Sequence, residues 1–147
     1  MATSRTESAT LIRPAVVSDG DAVFGLLGQL AASYPPNRIA FDAVFPVLVI
    51  DPDAILLVCE IGGVVRGYAL AIVSLLLYTN GRSAQLQELV VDQHARGTGI
   101  GTALVARVES ECRELNVRQL TVASRRAAAF YEARGYGTTA DYLKRSL

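Results

Sequence analysis

The residues best placed to do chemistry are Arg96-Gly97-Thr98-Gly99-Ile100-Gly101-Thr102, which stand between the apolar run Leu86–Val91 and an amphipathic stretch. Glycine removes the Cβ atoms that keep a ligand off the backbone. At the start of a helix the first N–H groups lack intrahelical partners and the dipole is positive, so such a turn is an anion site, most often for phosphate. Arg96 adds a fixed positive charge. Spacing excludes two phosphate loops. A Walker A loop needs Gly-x-x-x-x-Gly-Lys-[Ser/Thr], and the only lysine is Lys144. The dinucleotide pattern Gly-x-Gly-x-x-Gly/Ala puts Thr102 or Leu104 in its last place, and Gln119 stands where its ribose-binding acid belongs.

What fits is Arg-x-x-Gly-x-Gly, as Arg96, Gly99 and Gly101. A second pattern follows downstream: Ala127-x-x-Phe130-Tyr131-Glu132-x-x-Gly135-Tyr136. In these two signatures, and in their order, the chain resembles the GCN5-related N-acetyltransferase (GNAT) superfamily. The resemblance runs from about Leu11 to the C-terminus, with the specific motifs between Glu88 and Tyr136. It implies a mixed, mostly antiparallel central sheet flanked by helices, an α/β (α+β) fold. It also implies transfer of acetyl from acetyl-CoA to a primary amine by direct attack in a ternary complex. By the same resemblance, the loop from Arg96 through Gly97, Thr98, Gly99, Ile100 and Gly101 to Thr102 binds the cofactor phosphates. Leu89, Val90 and Val91 of the preceding strand meet the pantetheine arm, the backbone near Leu89 and Val91 pairing with it like an extra strand. Ser124 stands where the family often has a pantetheine-binding Asn, and its shorter side chain puts that contact in doubt. A non-catalytic acyl-CoA-binding or interaction module is the alternative.

Such a transfer needs a neutral amine, a polarised carbonyl and a proton for the departing thiolate. Backbone N–H groups near Leu89 and Val91 would polarise the carbonyl as oxyanion donors do. An alkylamine is mostly protonated at neutral pH, so a base or a water relay must take its proton. Glu88, an acid inside an apolar strand segment, is the first candidate, with Gln85 and Gln87 as residues that would orient a water instead. Tyr131 falls on the family's tyrosine that protonates the leaving sulfur. Arg125 and Arg126 are close enough in sequence to reach cofactor phosphates, though solvent exposure is the safer assumption. Cys59 and Cys112 lie in strand and helix core patterns and His94, the single histidine, in a turn, which argues against a cysteine nucleophile and against a bound metal.

The elements that must position these groups are legible in outline. The spacing predicts strands at Thr10–Pro14, Ala54–Ile61, Val64–Tyr78, Ser83–Val91 and Val117–Ala123, with hairpin signals at Gly62-Gly63 and Asn80-Gly81. A helix capped within Ser18–Asp21 carries Val23, Leu26, Leu27, Leu30 and Ala31 on one face and breaks at Tyr34-Pro35-Pro36-Asn37. A second, from Arg38 toward Val49, is interrupted by Pro46. The resemblance makes this pair a wall of the acceptor site, with Tyr34 and Phe41 as possible contacts. A long helix with Ile100, Leu104, Val108, Cys112 and Leu115 in one stripe follows the glycine loop, then a short helix over Ala127–Ala133. Tyr136–Leu147 is expected to form a final pair of strands.

At 147 residues the chain is read as one domain, residues 1–8 being a frayed terminus. Fourteen basic against fourteen acidic residues leave no net charge, which excludes a global field for nucleic acid or an anionic membrane. With no leader and two separated cysteines, a cytoplasmic location is expected. The partner is a small-molecule or peptide amine, and a homodimer is possible.

Overall fold

The computed structural model describes residues 9–30 and 34–147. Five strands form one sheet in sequence order: β1 (Thr10–Pro14), β2 (Ala54–Ile61), β3 (Val64–Leu76), β4 (Gly81–Val91) and β5 (Leu120–Val122). The first four pair antiparallel, and β5 joins β4 in parallel. With α1 (Gly20–Leu27), α2 (Arg38–Ile50), α3 (Ile100–Glu114) and α4 (Ala128–Glu132), this is the helix-flanked, mostly antiparallel sheet expected from sequence.

Because successive strand residues point to opposite faces, the sheet builds two cores. Leu57, Cys59, Ala69, Ala71 and Leu86 meet Leu104, Val105 and Val108 of α3 on one face. Leu56, Val58, Tyr68, Leu70 and Val90 meet Val23, Leu26 and Phe45 of α1 and α2 on the other. Both cysteines are free and lie in the α3-side core. Burial pushes both thiols up, that of Cys112 to about 11, which suppresses the thiolate a nucleophile needs.

The site-bearing helix α3 crosses β3 at Gly67. A Cβ there would stand 3.0 Å from Ile100 Cγ2, 3.0 Å from the Val90 carbonyl oxygen and 3.2 Å from Leu104 Cδ1, so its absence lets the first turn of α3 settle on the sheet. On the opposite face, α1 is anchored electrostatically. Arg13 donates to both carboxylate oxygens of Asp19, at 2.8 and 2.9 Å, and at 3.1 Å to Glu60, while Asp19 also accepts from Val16 N at 2.8 Å. The Arg13 hydrogen bond, helped by the Val16 amide, holds the buried Asp19 carboxyl below its ordinary range against the opposing effect of burial.

The N-cap of α1 falls within Ser18–Asp21 as expected, at Asp19; a short 3-10 turn over Val17–Asp19 precedes it, and the Asp19 carboxylate accepts from Val16 N rather than from α1. Two expectations are corrected. Helix α2 runs through Pro46 without a break, capped by Asn37 Oδ1 accepting from Ala40 N at 3.0 Å. No strand forms within Tyr136–Leu147, where residues 137–147 are all exposed and so bring no apolar face to bury against the sheet. Ala31 and the expected frayed terminus at residues 1–8 lie outside the described residues.

Replacing Gly67 by Ala should lower unfolding free energy by about 1–3 kcal/mol, since the backbone at Val90 must move to admit the methyl group; a urea midpoint equal to the parent's contradicts this packing. The Asp19 contribution has a definite sign in pH. Its folded pKa is lowered from 3.8, so the stabilisation is fully present above that value and is lost as pH falls from it through the folded pKa. Asp19→Asn should therefore cost roughly 1–3 kcal/mol at neutral pH and flatten the stability profile below about pH 4, as read by denaturation at stepped pH.

Candidate active site

The site begins with one surplus residue. Along β3 and β4, Leu70 faces Glu88 while the next residue, Ala71, faces Leu86, which leaves Gln87 as a bulge in β4. A bulge shifts the alternation by one. Leu86 stays in the α3-side core, but Glu88, two residues on, emerges on the α1–α2 side, where its Oε1 accepts from the Tyr68 hydroxyl at 2.7 Å. Tyr68 is almost fully buried, and burial followed by the Glu88 charge pushes its phenol well above the ordinary value, so it remains a donor.

The same stretch of β4 loses its neighbour. The strand β5 pairs only with Ala84, Gln85 and Leu86, and beyond them β4 continues against β3 alone. Asp92 N donates to Arg66 O at 2.8 Å, which makes 66/92, 68/90 and 70/88 the hydrogen-bonded pairs. Leu89 and Val91 fall between them, so their N–H and C=O groups point to the open edge. The Arg96 guanidinium reaches that edge, donating from Nε to the Val91 carbonyl at 3.4 Å. Val90 has the other orientation: its backbone faces β3 and its side chain is buried among α1 and α2 residues.

At the end of β4 a short turn over Gln93–Ala95 leads into the glycine loop. Gly97 and Gly99 take positive φ, 79° and 87°, which side-chain-bearing residues rarely adopt. Gly101 sits against Phe130 and Val91: a Cβ there would make ordinary van der Waals contact with both, at 3.5 and 3.6 Å. The first intrahelical acceptor, Gly99 O, takes the Ala103 amide, leaving the N–H groups of Ile100, Gly101 and Thr102 at the open helix start. Thr98 is spent locally, its hydroxyl donating to Ala95 O. His94 is exposed and beside Gln93.

Tyr131 packs from α4 into the α3-side core, edge-on to Phe130 and Tyr136. Burial raises its phenol pKa, keeping it protonated, and among the described residues its hydroxyl makes no hydrogen bond. Ser124 is exposed, and its Oγ accepts from Ala127 N at 3.0 Å, bracing the start of α4. Arg125 and Arg126 are exposed, as are Tyr34 and Gln87; Gln85 and Phe41 are half-buried.

An apolar cavity of about 390 Å³ opens between the sheet and α1–α2, with Glu88 and Tyr68 in its lining beside Tyr34 and Phe41. Two of the residues at the site were not anticipated. Tyr68 looks like any aromatic of a central strand, and only the strand pairing reveals its carboxylate partner. Arg134 stacks over Phe130, its guanidinium carbon 3.6 Å from the ring centroid, and bonds to the Thr102 hydroxyl, which puts a second cation beside the α3 start. Among the described residues no cluster of three or more His, Cys, Asp or Glu is arranged as a metal ion requires.

Residues 27–136 match the model of the acetyltransferase (GNAT) family. The chain is 34% identical over 107 residues to glucosamine 6-phosphate N-acetyltransferase 1 of Oryza sativa subsp. japonica, a match covering 69% of this chain and 65% of that protein. A transcriptional regulator from Bacillus halodurans C-125 has a similar structure, with a TM-score of 0.85 at 20% identity over 95% of this chain and 100% of that one. An aminoglycoside N-acetyltransferase in complex with CoA gives a TM-score of 0.84 at 17% identity, covering 97% of each chain. At these identities the structural likeness is one of fold.

The raised phenol of Tyr68 gives a direct spectroscopic expectation. Between about pH 9 and 11, where ordinary tyrosines ionise, Tyr68→Phe protein should show the same phenolate absorbance step as the parent. A step smaller by one tyrosine would contradict the buried Tyr68–Glu88 pair.

Proposed function

Since the chain belongs to the acetyltransferase (GNAT) family, we propose that it is an enzyme that moves acetyl from acetyl-CoA to a primary amine by direct attack in a ternary complex. The observation that carries this reading is the β4 bulge at Gln87. It turns the Glu88 carboxylate into the α1–α2 cavity while the helix start and Tyr131 stay on the α3 side. A thioester laid along the open β4 edge is then approached by a base from one face of the sheet and by an acid from the other.

The parts divide the work as follows. The N–H groups at the start of α3, with Arg96 and Arg134 close by, hold the cofactor phosphates. Leu89 and Val91 offer their outward backbone groups to the pantetheine arm and polarise the thioester carbonyl. Ser124 keeps a hydroxyl proton to donate there, although its oxygen already serves Ala127 N. Glu88, directly or through a water oriented by Gln85 or Gln87, takes the proton from the amine, whose lone pair attacks the carbonyl carbon. The adduct nitrogen gives up its second proton to solvent, the C–S bond breaks as the amide forms, and the Tyr131 hydroxyl gives its proton to the departing sulfur, to be replaced from solvent. The products are the acetylated amine and CoA with its thiol. Free, buried cysteines support a reducing, cytoplasmic setting.

Calorimetric titration with acetyl-CoA, followed by an assay of thiol release with a panel of amines, tests the reading. Arg96→Ala with Gly99→Val should abolish measurable binding. Glu88→Gln and Tyr131→Phe should each keep binding and lose roughly 10²–10³-fold in kcat, the size of effect general acid–base groups contribute. Full turnover by Tyr131→Phe removes it as the acid, and binding without turnover for every amine would identify a non-catalytic acyl-CoA module.

A further inference from the structure

We infer that the amine acceptor is a monocationic primary amine with an apolar body, one ring or a short branched chain, rather than a phosphorylated sugar or a polyamine. This inference rests on the acetyl-transfer reading and concerns the cavity of about 390 Å³ that Glu88 enters. Leu27, Phe41, Val44, Phe45 and Leu48 wall it on the helix side, and Leu56 and Leu70 on the sheet side. Among the described residues lining it, Glu88 is the single charged group, and no arginine, lysine or histidine is present. Lys144, whose ammonium stands 5.8 Å from the Tyr34 ring centroid, is not part of the lining.

The consequences follow from desolvation. A phosphate entering this cavity would leave water without gaining a cationic partner, a penalty apolar contacts do not recover. A polyamine or aminosugar with several ammonium groups would find one carboxylate for all of them. The acids nearby offer no help, since Asp21 and Asp42, at the neighbouring surface between α1 and α2, are both already paired with Arg38. A single ammonium fits: it meets the Glu88 carboxylate, whose Oε1 accepts from Tyr68 at 2.7 Å, while the rest of the molecule displaces water from aliphatic and phenylalanine surface. The volume lies near the small end of the range of about 300–1,000 Å³ usual for ligand pockets, so the body is small.

The test is a thiol-release assay of the intact protein with acetyl-CoA and a matched amine series: ethylamine, 3-methylbutylamine, phenethylamine, glucosamine, glucosamine 6-phosphate and spermidine. Phenethylamine and 3-methylbutylamine should exceed ethylamine in kcat/KM by roughly ten- to a hundredfold and exceed the phosphorylated and polycationic amines by at least as much. Val44 lines the cavity yet is half exposed on α2, so Val44→Lys should be tolerated by the fold. It should raise KM for phenethylamine at least tenfold and leave the calorimetric affinity for acetyl-CoA unchanged. Preference for glucosamine 6-phosphate or spermidine overturns the inference and leaves the transfer reading standing. Acetyl-CoA bound with no thiol release from any amine overturns both.

Discussion

One extra residue in β4 sets the geometry on which the rest of the site depends. In an unbroken strand, Ala84, Leu86 and Glu88 would share a face, and the carboxylate would have to enter the dry core beneath α3. A charge buried there without a partner costs many times what the surrounding packing supplies. The bulge at Gln87 moves Glu88 to the α1–α2 side, where the Tyr68 hydroxyl waits as a donor. The register break is thus a condition for placing an acid in this strand at all, and it leaves the acid at the mouth of a cavity.

The open edge has a separate cause. With only three residues, β5 covers β4 as far as Leu86, and the outward backbone groups of Leu89 and Val91 are left to other partners. Unpaired strand edges are ordinarily a liability. Here the edge faces the start of α3, with Arg96 on the Val91 carbonyl and Arg134 on Thr102, so strand donors, helix-start donors and two cations converge on one strip. Helix α3 can lie so close because Gly67 lacks a Cβ.

The other side of the sheet is held by packing and by one charged anchor. Arg13, fixed in β1 against β2, grips Asp19 just before α1 and shares itself with Glu60. That anchor places α1 so that Val23 and Leu26 face the sheet, and the stacked Phe41 and Phe45 of α2 close the apolar wall opposite Glu88. The cavity inherits its character from this division: the ion pairs sit at the helix start, and the space beyond them is lined almost wholly by hydrocarbon.

The sequence alone determined the strand order's raw material, the amphipathic α3, the glycine loop and the family, because those depend on local periodicity and on residue types at short fixed spacing. The burial of Cys59 and Cys112 belongs to the same class, whereas the positive φ at Gly97 and Gly99 is read from the backbone itself. It misjudged what depends on distant partners. The Tyr136–Leu147 segment looked strand-like but found no face to bury, and Pro46 was absorbed into α2. What only the tertiary structure decided was the side of the sheet to which Glu88 points, its bond to Tyr68, the early end of β5 and the apolar lining of the cavity. These depend on strand register and pairing, which set residues twenty or more positions apart against one another, and no spacing within β4 reveals that one of its residues is unpaired.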